Sequence, residues 1–224
     1  MAALEIDVFW SFRSPWSYLA TPRLRAMQDD WELAVNFRPV YPLAVRTPEF
    51  FLNANPLWGR YLMLDVHRYA DFLGLPFKWP SPDPVAQYLG EDGRPRTAED
   101  QPYIARLTRL GIVAAEQGRG IEFADEISRA IWTGQENWHE GDHLARAADR
   151  AGLDLAAMDR VVESQVERLE AAIVKNQEDH TSAGHWGVPT CAFDGEPFFG
   201  QDRLDVLLWR LKKAGLKARS GTNA

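Results

Sequence analysis

The residues with the clearest chemical potential lie near the amino terminus, in a turn between an apolar segment and an amphipathic one. Ser14 is a favourable N-cap residue, and Pro15 suits the first position of a helix. The Ser14 hydroxyl would therefore lie among backbone N–H groups without helical partners, at the positive end of the helix dipole. Such a position stabilises an anion, whether a phosphate, a carboxylate or a thiolate. A helix cap with no catalytic role is the alternative interpretation of the turn alone.

A rival motif lies at residues 139–143, where His-Glu-Gly-Asp-His matches the H-E-x-x-H zinc pattern. On one continuous helix the two histidines would share a face and bind one zinc ion, with the glutamate beside its bound water. Gly141 is unfavourable inside a helix, however, and Asp142 suits the cap of a helix that begins at Leu144. His139 would then precede that helix, and the two imidazole rings would not share a face. We therefore predict no metal site.

A strand, a helix and a second strand are predicted around the Ser14 turn. Leu4 to Trp10 alternates apolar and polar residues, which indicates a strand, and residues 33–38 form a second strand closed by Pro39. Between them, apolar residues recur at steps of three and four, as an amphipathic helix requires. Because a strand–helix–strand unit of this spacing makes a right-handed crossover, the two strands should be parallel neighbours.

The rest of the chain is predicted to be helical until a last pair of strands. A helical pattern covers residues 56–73, residues 80–102 indicate an exposed connection, and four further helices are predicted over residues 104–181. Asp194-Gly195 then separates two short apolar runs, which predicts a hairpin, and a final amphipathic helix follows. The predicted fold class is α/β, with a helical block inserted between two halves of one sheet.

These elements predict two spatial domains. Residues 1–42 and 182–216 would form the sheet domain, and residues 43–181 an all-helical insertion. Residues 217–224 are polar and are expected to form a flexible tail.

Composition limits the classes of function. The net charge of −7 argues against general nucleic-acid binding, which needs a basic surface. No apolar run approaches the roughly 20 residues that span a bilayer, and the first residues lack the pattern of a secretory signal. The single cysteine, Cys191, excludes an internal disulfide and fits a reducing compartment, so we expect a cytoplasmic protein. Nine tryptophans are many for 224 residues, and some are expected to line an aromatic-binding cleft.

Four other residues that could do chemistry are given structural interpretations. Tyr18 is predicted to lie in the core, and Cys191 to be a small buried apolar residue. His180 and His185 flank a Ser-Ala-Gly loop and are predicted to be exposed.

The predicted element order resembles the thioredoxin-like fold, whose redox members carry Cys-x-x-Cys at the start of the first helix. Here residues 14–17 are Ser-Pro-Trp-Ser, and a serine hydroxyl cannot exchange disulfides. Residues 14–20, 187–190 and 199–204 together resemble the 2-hydroxychromene-2-carboxylate isomerase family, which is allied to kappa-class glutathione transferases within the DsbA-like group. The resemblance covers residues 6–211. It implies a thioredoxin-like domain with a large all-helical insertion.

The resemblance assigns roles to residues of this chain. It implies glutathione as cofactor, with Ser14 as the catalytic residue that donates a hydrogen bond to the thiolate. Val188 would pair with the cysteinyl backbone beside a cis-proline at Pro189. The γ-glutamyl end would lie on the turn formed by Gly200, Gln201, Asp202 and Arg203. The thiolate would add reversibly to a conjugated enone and leave again, which makes the protein a glutathione-dependent cis-trans isomerase.

The resemblance says less about the substrate and the residues that bind it. We expect a small aromatic substrate, an aryl-substituted pyruvate or its chromene hemiketal, and no nucleic-acid or membrane partner. Arg13, Asn53 and Tyr61 are candidate substrate-binding residues, and Arg13 could help the thiolate, meet a substrate carboxylate or lie solvated on the turn. A homodimer is expected because relatives commonly dimerise. The alternative functions are a kappa-type transferase, which keeps the adduct, and a non-catalytic module that binds thiol peptides.

Overall fold

Our computed structural model of the protein describes residues 3–219. In that part of the chain, strands lie towards both ends and helices occupy most of the middle. The elements in chain order are β1 (Leu4–Trp10), α1 (Pro15–Asp30), β2 (Leu33–Pro39), α2 (Leu43–Arg46), α3 (Glu49–Asn53), α4 (Pro56–Leu73), β3 (Gln87–Leu89), β4 (Pro95–Thr97), α5 (Pro102–Glu116), α6 (Gly120–Trp132), α7 (His143–Arg150), α8 (Leu155–Ser164), α9 (Val166–Ser182), β5 (Thr190–Phe193), β6 (Glu196–Phe199), a 3-10 turn (Gln201–Arg203) and α10 (Leu204–Lys213).

Four strands form one mixed sheet in the order β2-β1-β5-β6. β1 and β2 are parallel, with Trp10 beside Pro39, as the predicted crossover requires. β5 is antiparallel to both β1 and β6, and Phe9 lies opposite Thr190. The carboxyl end of β1 is therefore next to the start of β5. This pairing brings the Ser14 turn close to the segment that precedes β5.

The first turn of α1 is fixed against the sheet by buried polar contacts. The indole Nε1 of Trp10 donates hydrogen bonds to the Ser17 carbonyl (3.1 Å) and to Thr21 Oγ1 (2.9 Å). Tyr18 is fully buried, which confirms its predicted place in the core, and its hydroxyl donates to the Pro76 carbonyl (2.5 Å). Burial raises the pKa of Tyr18 to about 12, so this hydroxyl stays neutral.

The helical block contains more helices than predicted. Residues 102–182 form five helices, α5 to α9, where four were predicted. The last and longest of the four was predicted from the apolar residues Val162, Val166, Leu169 and Ile173. It is in fact two helices, because the chain turns at Gln165 (φ −134°, ψ 34°) between α8 and α9. Val162 and Val166 are four residues apart, so the apolar pattern runs through the break without a sign of it. The prediction of a single helix was wrong for this reason.

The connection predicted at residues 80–102 is not simply an exposed loop. It contains a hairpin of β3 and β4, and Val85 ahead of it is buried. Thr97 Oγ1 donates a hydrogen bond to the Ala44 carbonyl (2.6 Å). Near the start of the connection, the Pro82 carbonyl accepts a hydrogen bond from Trp138 Nε1 (2.8 Å). The connection is therefore held against α2 on one side and against the segment after α6 on the other.

The carboxyl-terminal stretch lies against the start of β2. The Glu32 N–H donates to the Lys217 carbonyl (2.8 Å), and the Arg219 N–H donates to the Asp30 carbonyl (2.8 Å). Of the tail predicted at residues 217–224, the first three residues are thus paired with the chain, and the rest lie outside the described residues. The predicted domain boundaries stay a prediction. No helix in the described part of the chain is both long and apolar enough to cross a bilayer.

Candidate active site

Ser14 lies between β1 and α1, as predicted, and it is partly buried among the residues that line a cleft. Its backbone N–H donates to the Ser11 carbonyl (3.1 Å), which closes the turn. Its Oγ accepts a hydrogen bond from the Ser17 N–H (3.2 Å), so Ser14 is the N-cap of α1. The same hydroxyl donates to the Val188 carbonyl (3.2 Å), 174 residues away in sequence. Two segments that are distant in the chain thus meet at one oxygen.

The segment before β5 supplies the other side of the site. The Val188-Pro189 peptide bond is cis, as the resemblance implies. Thr190 Oγ1 donates to the Gly187 carbonyl (2.6 Å), and the Gly187 N–H donates to Nδ1 of His185 (2.9 Å). A Cβ at Gly187 would lie 2.5 Å from the ring of Phe199, so a larger residue here would displace that ring.

A cleft of about 870 Å³ opens beside Ser14 and Val188. Its volume lies within the range of about 300–1,000 Å³ that is usual for small-molecule sites. The expectation that tryptophans line a cleft is confirmed by Trp16, Trp58, Trp79, Trp132 and Trp186. Phe50, Phe51 and Phe199 add further aromatic lining, and Gln87, Pro95 and Thr97 of the β3–β4 hairpin close another side. An aromatic or conjugated ligand would find stacking partners on several walls.

Arg13 is held in the cleft by an acidic partner. Its guanidinium binds Asp83 side-on, with Nε 2.9 Å from Oδ1 and Nη2 3.0 Å from Oδ2. Its Cζ lies 5.8 Å from the centroid of the Phe51 ring. Of the other two candidate substrate-binding residues, Tyr61 lines the cleft, whereas Asn53 is exposed at the end of α3 and is not among the lining residues.

The turn predicted to hold the γ-glutamyl group lies beside the site but does not line the cleft. The Gly200 N–H donates to the Pro189 carbonyl (2.8 Å), and its φ of 97° suits glycine. Gln201 is buried, and its Oε1 has no hydrogen-bond partner among residues 3–219. Asp202 and Arg203 are exposed and pair with each other at 3.0 Å. Their role in binding a ligand stays a prediction.

The turn at residues 14–17, called the active turn below, contains no cysteine. Ser17 holds the second cysteine position, and its Oγ is buried without a hydrogen-bond partner in the described chain. Cys191 is buried in β5, as predicted, and burial raises the pKa of its thiol to about 12. A buried neutral thiol is a poor nucleophile. Any thiolate at Ser14 would therefore have to arrive with a ligand.

The prediction that His180 is exposed was wrong. It is fully buried in the last turn of α9, where its ring stacks on Phe9 of β1 with 4.6 Å between centroids. The error arose because the sheet-facing side of α9 extends to its last turn. Burial, with a smaller effect of the Arg46 charge, lowers the pKa of His180 to about 4. His185 is partly buried and stacks on Phe199 at 3.9 Å, and burial lowers its pKa as well.

The H-E-x-x-H pattern does not lie on one helix. α7 begins at His143, Asp142 is its N-cap residue, and Gly141 has a φ of 58° in the left-handed region. His139 lies before the helix and packs on the ring of Tyr103 at 4.6 Å. Within residues 3–219, no group of three His, Cys, Asp or Glu side chains is arranged to hold a metal ion.

Some residues of the cleft were not predicted from the sequence. Asp83 lies 70 residues from Arg13 in a polar connection, and nothing local marks it as a partner. Phe50 and Trp186 were not singled out either. The number of tryptophans pointed to an aromatic cleft without indicating which of them would line it.

Fold and site together define a thioredoxin-like protein in which serine replaces both cysteines of the active turn. The DSBA-like thioredoxin domain matches residues 5–212, and the chain belongs to this family. The predicted fold class, an α/β DsbA-like fold with a helical insertion, is thereby confirmed.

Two kinds of enzyme are similar to this chain. Glutathione S-transferase kappa 1 of Rattus norvegicus is 22% identical over 220 residues, which cover 92% of this chain and 90% of that protein. The 2-hydroxychromene-2-carboxylate isomerase of Pseudomonas putida is 22% identical over 214 residues, covering 90% and 91%. A solved structure of a selenomethionine 2-hydroxychromene-2-carboxylate isomerase matches with a TM-score of 0.69 and 19% identity, covering 94% of this chain and 96% of that one. The chain is thus a distant homologue of both enzymes.

Proposed function

We propose that the protein is a glutathione-dependent isomerase of a conjugated aromatic enone, such as an aryl-substituted pyruvate or its 2-hydroxychromene-2-carboxylate hemiketal. The observation that carries the proposal is the 3.2 Å hydrogen bond from Ser14 Oγ to the Val188 carbonyl. It puts a hydroxyl at a helix amino terminus beside the cis Val188-Pro189 peptide. The similarity to an enzyme named 2-hydroxychromene-2-carboxylate isomerase supports this class of reaction.

The residues present fit glutathione. The thiol of Cys191 is buried and neutral, so the site needs a sulfur from outside the chain. The Ser14 hydroxyl and the amino terminus of α1 favour a thiolate over a thiol. Val188 lines the cleft, and its backbone would pair with a peptide-like ligand.

When bound, glutathione would supply a thiolate whose reversible addition converts a conjugated double bond into a rotatable single bond, and whose loss restores the double bond. Ser14 would donate its hydrogen bond to the sulfur instead of to the Val188 carbonyl, and so lower the thiol pKa. The aromatic lining would hold the substrate ring by stacking and exclude water from it. Phe51, Trp58 and Trp186 are aromatic residues of the cleft lining that could fill this role.

The test begins with a calorimetric titration of the protein with glutathione. A screen of aryl enones then follows isomer formation and thiol concentration together. We expect binding, isomer formation and a constant thiol concentration. Absence of glutathione binding would refute the proposal.

A kappa-type transferase is the second candidate, and the similarity to glutathione S-transferase kappa 1 favours it. It would use Ser14 in the same way but retain the adduct. Consumption of glutathione in step with substrate would identify this activity. Binding of glutathione with no reaction of any enone or halide would instead indicate a binding module.

A homodimer and a cytoplasmic location are proposals as well. α4 leaves Leu57, Leu64 and Phe72 exposed at a helical spacing, an apolar face that a second copy of the chain could cover. Sedimentation velocity tests the dimer, and a monomer at micromolar concentration would contradict it. A lone cysteine supports a reducing compartment, which cell fractionation tests.

A further inference from the structure

The ion pair between Arg13 and Asp83 is placed where a substrate would react. Arg13 directly precedes Ser14, and both residues line the cleft, as does Asp83. The pair uses Nε and Nη2 of the guanidinium. Among residues 3–219, Nη1 has no hydrogen-bond partner, yet it belongs to a side chain that is only 22% exposed. One edge of the guanidinium is thus fixed, and the donors of Nη1 are left for a ligand.

Asp83 is itself fixed, so it can orient Arg13. Its Oδ1 also accepts a hydrogen bond from the Val85 N–H (2.8 Å), and Val85 is buried. The preceding Pro82 carbonyl accepts from Trp138 Nε1 (2.8 Å). A carboxylate anchored in this way holds a guanidinium in one orientation, which is the arrangement that electrostatic catalysis requires.

The charge of Asp83 decides which ligand group Arg13 can serve. A substrate carboxylate beside Arg13 would be repelled by the Asp83 carboxylate, which already neutralises the guanidinium. For the same reason Arg13 adds little long-range stabilisation to a thiolate. A carbonyl oxygen is neutral when it binds, so it meets no such repulsion at that stage. As it gains charge, its direct hydrogen bond from Nη1 strengthens, and this contact is shorter than the distance to the Asp83 carboxylate, which lies on Nε and Nη2.

The geometry points to Arg13 as a further catalytic residue, the donor to the carbonyl oxygen of a conjugated ketone or aldehyde, with Asp83 as its positioning residue. This assignment rests on the proposed function. As the sulfur–carbon bond forms, the π electrons of the double bond shift and the carbonyl oxygen becomes negative. When that bond breaks, the same electron pair restores the double bond, so no oxidant and no net proton are needed. Arg13 Nη1 would stabilise the charge on oxygen.

The first test needs no glutathione. p-Nitrophenol is an aromatic probe whose phenolate mimics the charged oxygen, and its ionisation is followed by absorbance. We expect Arg13→Leu to raise the pKa of the bound phenol by about one unit, a tenfold change. Arg106→Leu is the control, because Arg106 makes the same side-on pair with Asp159 (2.8 and 2.7 Å) outside the cleft lining. An equal pKa in wild type and Arg13→Leu, or no binding of the phenol to wild type, would overturn the assignment.

The second test compares two electrophiles with glutathione, benzylideneacetone and benzyl chloride. Only the addition of the thiolate to benzylideneacetone places negative charge on a carbonyl oxygen. Arg13→Leu should lower the ratio of the enone rate to the halide rate by about 30-fold, less than the ~10²–10³-fold of a fully enclosed donor, because the side chain is partly exposed. Equal losses with both electrophiles would refute the assignment. If wild type reacts with neither, the proposed function fails, and the phenol titration still decides the role of Arg13.

Asp83→Asn provides the test if Arg13→Leu does not fold. It keeps the size of the side chain but removes its charge. We expect the KM of a benzylidene pyruvate to fall at least threefold relative to its methyl ester, because the repulsion of a substrate carboxylate is gone. A merely structural role of Asp83 would affect acid and ester alike, and that result would overturn the assignment.

Discussion

Replacing Ser14 by alanine should separate the cap role of its hydroxyl from its role towards a bound thiolate. The hydroxyl accepts from the Ser17 N–H and donates to the Val188 carbonyl, both at 3.2 Å. Loss of the cap is expected to lower the free energy of unfolding by roughly 1 kcal/mol. Loss of a hydrogen bond to an ionised sulfur costs roughly 2 kcal/mol. Since every 1.4 kcal/mol is about tenfold, turnover should fall about 30-fold.

The assay is turnover at saturating glutathione, with urea unfolding on the same samples. Ser17→Ala is the matched control, because the Ser17 Oγ is buried without a partner in the described chain and its removal unpairs nothing. We expect that control to keep turnover within about twofold, and Ser14→Thr to retain much of the activity because it retains the hydroxyl. Turnover of Ser14→Ala within threefold of wild type would refute the reasoning, as would an equal loss in Ser17→Ala.

Three further predictions follow from the packing. Because the pKa of His180 is about 4 in the folded protein, against 6.5 unfolded, the unfolded chain binds the proton first as the pH falls from 6.5 to 4. The free energy of unfolding should therefore drop by about 3 kcal/mol over that range, and His180→Phe should remove this drop in urea titrations. Gly120→Ala would put a Cβ 2.5 Å from Cβ of Phe37, so it should destabilise the fold by roughly 2 kcal/mol in the same assay. Arg46→Met removes the donor to the Trp186 carbonyl (3.0 Å), which lies two residues before Val188. Because this loosens the segment proposed to pair with glutathione, calorimetry should show binding of glutathione weakened about fivefold.

Each of these predictions has its own control. Gly59→Ala, with nothing within 4 Å of the added Cβ, should leave stability unchanged or higher, and an equal loss at both glycines would contradict the steric argument. An unchanged pH dependence in His180→Phe would mean that other groups cause the drop. Arg106→Met should not affect glutathione, so weakened binding there would point to a general effect of losing an arginine.

The parts of the fold that the sequence predicted well are those specified by local patterns. The alternation over Leu4 to Trp10, the cap at Ser14 and the Asp194-Gly195 turn each act over a few residues, and each element was found in the structure. The resemblance added the cis peptide before Pro189, which no local pattern specifies.

The missed features depend on contacts between distant segments. The break at Gln165 interrupts a continuous apolar pattern. The strands of the β3–β4 hairpin have three residues each, which is shorter than the runs from which a strand is predicted. His180 is buried only because the sheet-facing side of α9 covers Phe9. Asp83 meets Arg13 across 70 residues of chain, in a connection held by contacts with Ala44 and Trp138, so no sequence pattern could have paired them.

The most direct test of the account is the pKa of the glutathione thiol while it is bound. Thiolate absorbance in the ultraviolet, titrated against pH with wild type and with Ser14→Ala, gives this value. A free cysteine thiol titrates at about 8.5. We predict a value at least about one unit lower on the wild-type protein, with most of that lowering lost in Ser14→Ala. A bound thiol that titrates like the free one, or equally in both proteins, would contradict the central role of Ser14.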